Sequence, residues 1–433
     1  MSSAAPRAQT AGRPARQGAH RLLAGVLSRR ETLADQIEAG ALAALPPEER
    51  ARAQSLATLT LRHLAPIDDL LGGYLKKAPH GAAMTILRTA VAELLLDGVA
   101  AHAAVNDAVA LARQDRRAGR FAGLINAVLR RVAAEKPTLG PPRHPRWFAE
   151  RLSRHYGAEA EVAMAQAHAA GAPTDLSLRD PGERAEVVAA LEQAGVAVEI
   201  LPTGSLRLGQ AGQISKLPGY DTGRWWVQDA AAALPARLAG EVAGKRVLDL
   251  CAAPGGKTQQ LAAAGALLTA LDASEKRLGR LRENLARTGL SAEVVCADAL
   301  AWTPNNPFDL VLLDAPCSAT GTVRRHPDLP HVRDDGALAP LLELQAALLA
   351  AAARAVASGG QLIYSVCSLL PEEGEEQLTR FRETHPAFQP ETPPTLGLPE
   401  GWRDGATLRT RPDYWPERGG LDGFFMGCLV HAP

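Results

Sequence analysis

Two of the chain's five cysteines follow apolar segments that have the length and composition of buried β-strands. Cys317 comes shortly after Phe308–Asp314, and Cys367 directly follows Gln361–Val366. A thiolate in a loop beyond a strand end can act as a nucleophile, so both are candidate catalytic residues. The other three cysteines are interpreted as inert packing residues, the usual role of a buried thiol: Cys251, Cys296 and Cys428.

One reaction that requires such a thiol is methylation of cytosine at carbon 5. That carbon is too electron-poor to accept a methyl group directly, but addition of a thiolate at carbon 6 makes it nucleophilic enough to attack a sulfonium methyl group. Cys367 is the predicted nucleophile, and Asp314 is predicted to stabilise the charge that builds on the ring. An ordinary thiol has a pKa of about 8.5 and is mostly protonated at neutral pH, so Cys367 also needs a nearby cation that favours its thiolate form. The candidates are Lys257, Arg324 and Arg325.

A glycine-containing loop follows the strand-like segment Val247–Leu250. Its two glycines let the backbone approach a ligand closely, and the helix after it offers free N–H groups to a phosphate or carboxylate. A Walker A loop would need a glycine where Cys251 stands, yet Leu310–Asp314 resembles a Walker B strand, so a nucleotide hydrolase and a purely structural turn remain alternatives. The predicted ligand-binding residues of this loop are Cys251, Ala252, Ala253, Pro254, Gly255, Gly256 and Lys257.

Two acidic residues end the next two predicted strands. Asp272 ends Leu267–Asp272, at the distance from the glycine loop that is typical of a carboxylate accepting ribose hydroxyls, and Asp298 ends Glu293–Asp298, where it can meet an adenine edge. Either residue alone could simply cap the following helix. Together with the loop, they predict a ligand that contains adenosine and a charged amino-acid tail.

The elements that must position these residues alternate strictly from Lys245 onward. Short apolar runs separated by helical segments are typical of a parallel sheet that is covered on both faces. In such doubly wound α/β domains, ligands bind at the carboxyl ends of the strands, where the candidate residues lie. The sequence therefore predicts a C-terminal α/β, doubly wound, Rossmann-like domain over residues 226–433.

The rest of the chain predicts two further domains. Residues 19–136 show helical periodicity throughout, as in Met84–Leu95, and form an all-α domain. A proline-dense segment, 137–145, separates it from a small α+β module over 146–225. Residues 1–18 have arginines but no acidic residue; we expect a disordered tail that tethers RNA, with a transit peptide as the alternative.

Charge is divided unevenly between the two ends of the chain. Residues 1–150 have 21 lysines and arginines against 13 acidic residues, and the remainder has 26 against 34. A basic helical domain suits a polyanion such as RNA, although a solvated surface would look the same.

The cysteines are odd in number and widely dispersed, which indicates a reducing, cytoplasmic location and no metal site. The longest apolar stretch, 337–357, contains polar residues and predicts a buried helix rather than a membrane span.

Three motifs resemble those of the bacterial Sun/Fmu/RsmB-type ribosomal RNA cytosine-5 methyltransferases. They are LDLCAAPGGKT (248–258), LLDAPCSATGTVRRHPD (312–328) and YSVCSLLPEE (364–373). The resemblance continues outside these motifs. GLINAVLRR (123–131) is similar to the NusB-type helical RNA-binding domain of that family, LPGYDTGRWWVQDAAA (217–232) to the segment before its catalytic domain, and DGFFMGCLV (422–430) to its closing strand.

The resemblance implies a methyltransferase that uses S-adenosylmethionine and acts on a cytosine of small-subunit ribosomal RNA. It implies that Cys367 is the nucleophile, that Cys317 helps to release the product, and that the loop from Cys251 to Lys257, with the acidic residues at the strand ends, surrounds the cofactor or the target base. These acidic residues are Asp272, Asp298 and Asp314. We further expect a monomer without a metal or a membrane association.

Two departures from the family pattern concern target recognition. Val366 replaces the usual threonine before the nucleophile, and Leu329-Pro330-His331 follows the Arg-Arg-His-Pro-Asp segment where lysine and tryptophan are common. That segment could hold phosphates around the target base or be a solvated loop.

Besides the nucleotide hydrolase, the alternative functions are a catalytically silent RNA-binding protein and an exocyclic-amine methyltransferase. The intact cysteines argue against the first, and the sequence Asp-Ala-Pro-Cys argues against the second.

Overall fold

The computed structural model describes residues 12–433, which form two compact units. The first comprises the residues up to Gly171 together with Val323–Asp334, and the second comprises Ala172–Thr322 and Asp335–Pro433. The chain therefore leaves the second unit after Thr322, contributes a short segment to the first, and returns. The boundary at residue 171 lies inside the range 146–225, which the sequence predicts as one module.

The first unit is helical, as predicted for this part of the chain. The helices before residue 136 pack around two apolar cores, one of which contains Ile86, Leu87 and Val91 from the periodic segment that predicts a helix. The helices are α1 (Arg13–Ala24), α2 (Leu33–Glu38), α3 (Pro47–Arg62), α4 (Leu64–Tyr74), α5 (Ala82–Leu95), α6 (Ala101–Gln114), α7 (Ala122–Glu135), α8 (Arg146–Tyr156), α9 (Ala158–Ala170) and α14 (Leu329–Val332).

The expectation of a disordered tail over 1–18 is wrong for the residues that the structure describes. Helix α1 begins at Arg13, and Ala15 is buried in the core. Arg16 is also buried, with nitrogen atoms 2.8 Å from Glu93 Oε2 and 2.8 Å from Asp107 Oδ2. These acidic partners lie on α5 and α6, so local composition could not reveal them. Residues 1–11 lie outside the described residues.

The second unit contains a small antiparallel sheet and a large mixed sheet. The small sheet has the strand order β2-β3-β1-β4 and carries one helix. Helices α8 and α9, which the sequence assigns to the same module, belong instead to the first unit. The elements are β1 (Thr174–Leu178), α10 (Arg184–Gln193), β2 (Val198–Ile200), β3 (Leu206–Leu208) and β4 (Trp225–Val227).

The large sheet has the doubly wound arrangement that the sequence predicts. Its order is β11-β12-β13-β9-β8-β5-β6-β7, with β10 paired to β13; the strands from β9 to β7 are parallel, and β13 is antiparallel to β9. The strands are β5 (Arg246–Leu250), β6 (Leu267–Asp272), β7 (Glu293–Cys296), β8 (Phe308–Asp314), β9 (Val356–Val366), β10 (Phe388–Pro390), β11 (Arg403–Asp404), β12 (Thr407–Thr410) and β13 (Phe424–His431).

Helices cover this sheet, and continuous apolar strands fill the core between them. They are α11 (Leu234–Leu238), α12 (Gly256–Ala263), α13 (Glu275–Thr288), α15 (Leu338–Ala355) and α16 (Glu375–Thr384). The helical stretch Asp335–Ala355 is long and apolar enough to cross a membrane by length and composition alone. Leu348, Leu349 and Ala352 on it are buried in the core with residues of β8 and β9, as expected for a core helix.

Candidate active site

The two candidate cysteines lie side by side because their strands are neighbours. Strands β8 and β9 are parallel, and their register pairs Asp314 with Ser365. The loops after them therefore leave the same edge of the sheet, and the Sγ atoms of Cys317 and Cys367 are 3.4 Å apart. Both are free thiols. Cys317 is buried, whereas Cys367 is half-buried and so is not sealed within the core.

A buried carboxylate joins the two cysteine loops. Glu373 is fully buried and accepts hydrogen bonds from the backbone N–H of Ser318 (2.8 Å) and from the hydroxyls of Ser318 and Ser368. Gln345 donates to the same carboxylate at 3.0 Å. Each serine directly follows one of the two cysteines, so one side chain fixes both loops. Glu373 is not among the functional residues that the sequence predicts, so this role is found only in the structure.

Two glycines bring the end of the sheet against the cysteine loops. The N–H of Gly321 donates to the carbonyl of Cys367 at 3.0 Å, and the N–H of Gly423 donates to the carbonyl of Gly321 at 2.8 Å. A Cβ atom at Gly321 would lie 1.9 Å from the carbonyl oxygen of Gly423. Glycine is thus required where the segment before β13 meets the loop beyond β8.

Hydrogen bonding and burial distinguish the thiols. The hydrogen bond to Cys367, followed by burial, raises the pKa of Cys317 well above its ordinary value, so Cys317 stays protonated. Burial raises the pKa of Cys251 to about 12 and that of Cys428 to about 12, as expected for inert thiols. Cys296 is exposed, so its interpretation as a buried packing residue is wrong; β7 ends there, at the surface.

Asp314 lies at the end of β8 with both of its carboxylate oxygens engaged. Lys257 Nζ is 2.6 Å from Oδ2, and the hydroxyl of Ser365 donates to Oδ1 at 2.9 Å. The ammonium group also lies 5.3 Å from the centre of the Phe424 ring. Lys257, one of the cations that the sequence offers to Cys367, therefore pairs with Asp314 instead. About a third of the Asp314 side chain (32%) remains exposed to a substrate.

The other two candidate cations belong to the helical unit. Arg324 is fully buried, and its carbonyl accepts a hydrogen bond from Arg62 at 2.7 Å. In the same segment, the carboxylate of Asp328 is buried and accepts the N–H of Leu33 at 2.8 Å. The interpretation of Arg324–Asp328 as a solvated loop is therefore wrong for these two residues, which help to build the helical unit.

The glycine loop folds against α13 and the end of β6. Gly255 has a φ of +101°, and a Cβ atom there would lie 3.0 Å from Leu281 Cγ, so only glycine suits this position. The carboxylate of Asp272 is almost fully buried and accepts the N–H of Ala253 (3.2 Å) and that of Ser274 (2.9 Å). Arg277 approaches the same carboxylate at 3.4 Å. Asp272 therefore ties the loop to the strand end beside it.

Asp298 and Asp249 depart from the sequence prediction. Asp298 lies two residues beyond the end of β7, is exposed, and accepts the N–H of Leu300 at 3.0 Å within a turn; the next element is β8, so Asp298 caps no helix. Asp249, which the sequence analysis does not select, is fully buried beneath the loop and accepts the Thr258 hydroxyl at 2.6 Å. Burial raises the pKa of Asp249 to about 7.

Comparisons with known proteins match both units. Residues 238–430 match the family model described as 16S rRNA methyltransferase RsmB/F, and residues 13–134 match the NusB family. The ribosomal RNA small subunit methyltransferase B of Xanthomonas campestris pv. campestris is 36% identical over 440 residues, covering 98% of this chain and 98% of the relative. The enzyme of the same name from Pseudomonas putida is 36% identical, covering 96% and 98%.

The chain belongs to the RsmB/F methyltransferase family. This follows from a relative that is 36% identical over nearly the whole of both chains. The crystal structure of PH0851 has the same fold, with a TM-score of 0.73 and 23% identity, over 96% of this chain and 98% of that one. An RsmB/F enzyme is a methyltransferase with S-adenosylmethionine as its methyl donor, so family membership excludes the nucleotide-hydrolase alternative.

The residues around the glycine loop fit that donor. Three kinds of group lie at one edge of the parallel sheet, where doubly wound domains bind their ligands. They are the backbone of the glycine loop, the acidic side chains at the ends of β6 and β8, and the ammonium group of Lys257. The protein carboxylates at this edge can accept hydrogen bonds from the ribose hydroxyls and the amino group of S-adenosylmethionine, and the Lys257 ammonium group can donate to its carboxylate. Within residues 12–433, no group of three or more His, Cys, Asp or Glu side chains could hold a metal ion.

Proposed function

We propose that this RsmB/F enzyme methylates carbon 5 of a cytosine in small-subunit ribosomal RNA, with Cys367 as a covalent nucleophile. The observation that carries the proposal is the 3.4 Å separation of the Cys317 and Cys367 sulfurs, in loops that leave the sheet where Asp314 pairs with Ser365. A second thiol next to the nucleophile has no use in direct transfer to a nitrogen, but it suits a reaction in which a sulfur must later leave. The substrate class follows from the relatives, which are named small-subunit ribosomal RNA methyltransferases.

Bound S-adenosylmethionine supplies an electrophilic methyl group on a sulfonium centre. We assign its binding to the loop from Cys251 to Lys257, with Asp272 and Asp314 beside it. Asp298 is exposed at the same edge and is retained as a candidate contact to the adenine. The loop's tie to Asp272 keeps this surface fixed before the cofactor arrives.

In the proposed reaction, the Cys367 sulfur forms a bond to carbon 6, and the electron pair of the carbon 5–carbon 6 double bond makes carbon 5 nucleophilic. Negative charge then builds on the ring nitrogen, which takes a proton from the Lys257–Asp314 pair, held in place by Ser365; the pair recovers this proton when the ring double bond is restored. After methylation, the carbon 5 proton is lost to water. Its bonding pair restores the double bond and expels the Cys367 thiolate.

Cys317 assists this last step because its proton stays in place. The hydrogen bond and burial that raise its pKa keep it a thiol, which can donate to the sulfur of Cys367 as that atom leaves. Without this donor, departure of the sulfur is disfavoured and the adduct should persist. Two free sulfurs at this distance also favour a reducing compartment, so we propose a cytoplasmic location. That the enzyme acts as a monomer stays a prediction.

The test uses unmodified small-subunit ribosomal RNA, a labelled methyl donor and three variants. Cys317→Ala should accumulate a protein–RNA adduct that resists denaturation, and Cys367→Ala should give neither adduct nor methylated RNA. Cys296→Ala, which removes an exposed thiol, should behave as the unmodified enzyme does. The product nucleoside should be 5-methylcytosine; an exocyclic-amine product, or full activity of Cys367→Ala, would refute the proposal.

A further inference from the structure

A cavity of about 370 Å³ opens in the second unit between the small sheet and helices α11 and α12. Its lining includes three arginines: Arg179 after β1, Arg184 at the start of α10 and Arg237 in α11. Among the described residues that line it, none is acidic. A concave, positively charged surface of this size accommodates an anion with a larger group attached.

Three polar atoms in this cavity are buried without a hydrogen-bond partner among the described residues. They are Arg184 Nε, Arg237 Nη1 and the hydroxyl oxygen of Ser177. Buried polar groups ordinarily have partners, because leaving one unpaired costs roughly 1–3 kcal/mol. Three such groups in one cavity are suited to a ligand that accepts hydrogen bonds.

Arg184 and Arg237 converge on one point. A Cβ atom at Gly204 would lie 3.5 Å from Arg184 Nη2 and 4.0 Å from Arg237 Nη1. Burial, followed by repulsion from Arg184, lowers the pKa of Arg237 to about 10. Like charges held this close without a carboxylate are unfavourable unless an anion binds between them.

The nearby acidic residues are already engaged elsewhere. Glu183 and Glu186 flank Arg184 in sequence, yet both pair with Arg224, at 2.9 Å and 2.7 Å. Arg237 instead donates to the hydroxyl of Ser205 at 3.1 Å. The fold thus neutralises Arg224 and leaves the positive charge of Arg184 facing the cavity.

We propose that this cavity binds a phosphate group, supplied by the backbone of the RNA substrate. Guanidinium groups donate paired hydrogen bonds that match phosphate oxygens, and Ser177 adds a hydroxyl donor. Inorganic phosphate offers the same chemistry and is the other possible source. The RNA assignment rests on the proposed function, whereas phosphate binding itself does not.

The first experiment tests phosphate on the RNA-free protein. Sodium phosphate should raise the melting temperature above that in sodium chloride of equal ionic strength, since a ligand that binds only the folded state stabilises it. Arg184→Met should lose this difference, and Arg382→Met, which removes an exposed charge on α16, should keep it. Because Arg184 Nε has no partner to lose, Arg184→Met should fold normally, which circular dichroism checks. Equal effects of phosphate on all three proteins would overturn the proposal.

The second experiment identifies the source of the phosphate. Binding of a small-subunit ribosomal RNA fragment is measured by fluorescence anisotropy over a salt series, without methyl donor. Arg184→Met and Arg237→Met should weaken binding roughly tenfold and reduce the salt slope by about one, as loss of one phosphate contact predicts, and Arg382→Met should not. Phosphate stabilisation with unchanged RNA binding would overturn the RNA assignment. Cys367→Ala should retain both binding signals, so this result is independent of the proposed catalysis.

Discussion

Ser318 donates its backbone N–H to the carboxylate of Glu373 across 2.8 Å, and this contact fixes the residue directly after Cys317. The same carboxylate accepts the hydroxyl of Ser368, directly after Cys367. One buried charge therefore controls the spacing of two sulfurs whose positions are 50 residues apart in sequence. Because catalysis depends on this spacing, we expect it to be sensitive to Glu373, although Glu373 itself is buried and is not assigned a contact with the substrate.

Glu373→Gln tests this positioning role. The amide has nearly the same size, but its NH₂ group cannot accept the hydrogen bonds that the second carboxylate oxygen accepts. We expect the free energy of unfolding to fall by about 1–3 kcal/mol and kcat to fall on the order of 10²-fold, with KM little changed. Denaturant unfolding and steady-state methylation assays measure these quantities.

Glu376→Gln is the matched control, since Glu376 lies on the exposed side of α16 and pairs with Arg380. It should leave both kcat and stability almost unchanged. If Glu373→Gln lowers stability but keeps the kcat of the unmodified enzyme, Glu373 is structural only and does not position the sulfurs.

Thiol labelling tests the assigned environments of the cysteines. Alkylation requires an accessible thiolate. Cys296 is exposed, so it should react with iodoacetamide at pH 7.5 faster than the buried thiols, although desolvation and a hydrogen bond with Glu275 raise its pKa above the ordinary value. Cys317 should react far more slowly because its pKa is raised and it is buried, and Cys428, with a pKa of about 12, serves as the buried control. Mass spectrometry of peptides measures each rate. Labelling of Cys317 as fast as that of Cys296 would contradict the hydrogen bond to Cys367.

Most of the large sheet could be predicted from the sequence because its strands are buried on both faces. Leu267–Asp272 and Phe308–Asp314 are mainly apolar runs, each with one internal polar residue (Thr269 and Asp309), that end in an acidic residue, and the structure has these same bounds. The third strand ends at Cys296, short of the predicted Asp298, because the chain turns at the surface there. The adjacency of the cysteine loops follows once β8 and β9 are recognised as neighbours.

The features that the sequence does not predict depend on contacts between distant residues. Arg16 belongs to an ordered helix because its acidic partners come from α5 and α6. Glu373 resembles an ordinary helix-start residue until two serines from separate loops meet it. Lys257 is available as a cation for Cys367 in sequence, but in the structure it pairs with Asp314. Local pattern identifies such residues without showing which partner each one takes.

Asp249→Asn should change how stability depends on pH. The folded-state pKa of Asp249 is about 7, above its ordinary value, so the folded state favours the protonated carboxyl. Its stabilising contribution is complete below the pKa of the unfolded state and is lost as pH rises through 7. Asparagine stays neutral and can still accept the Thr258 hydroxyl. We expect the unmodified protein to lose on the order of 2–4 kcal/mol between pH 4 and pH 8 that Asp249→Asn does not lose.

Denaturant unfolding of both proteins across this pH range measures the difference. Asp221→Asn, at an exposed position of the same unit, should follow the pH profile of the unmodified protein. Parallel profiles for Asp249→Asn and the unmodified protein would show that Asp249 does not titrate in this range.

Gly321→Ala and Gly279→Ala are expected to change the free energy of unfolding in opposite directions. A Cβ atom at Gly321 would lie 1.9 Å from the carbonyl oxygen of Gly423, and backbone on both sides leaves no flexible atom to give way. We expect a loss of more than about 4 kcal/mol of stability, or no soluble protein, because the cysteine loop and β13 must separate.

At Gly279, within α13, nothing lies within 4 Å of the added Cβ, so alanine should stabilise the protein by about 0.5–1 kcal/mol through its higher helix propensity. Thermal unfolding of the two variants measures both effects on the same unit. A stable, active Gly321→Ala enzyme would mean that the two glycine backbones do not need this contact, and the sulfur spacing would then have to be set by Glu373 and its serine partners alone.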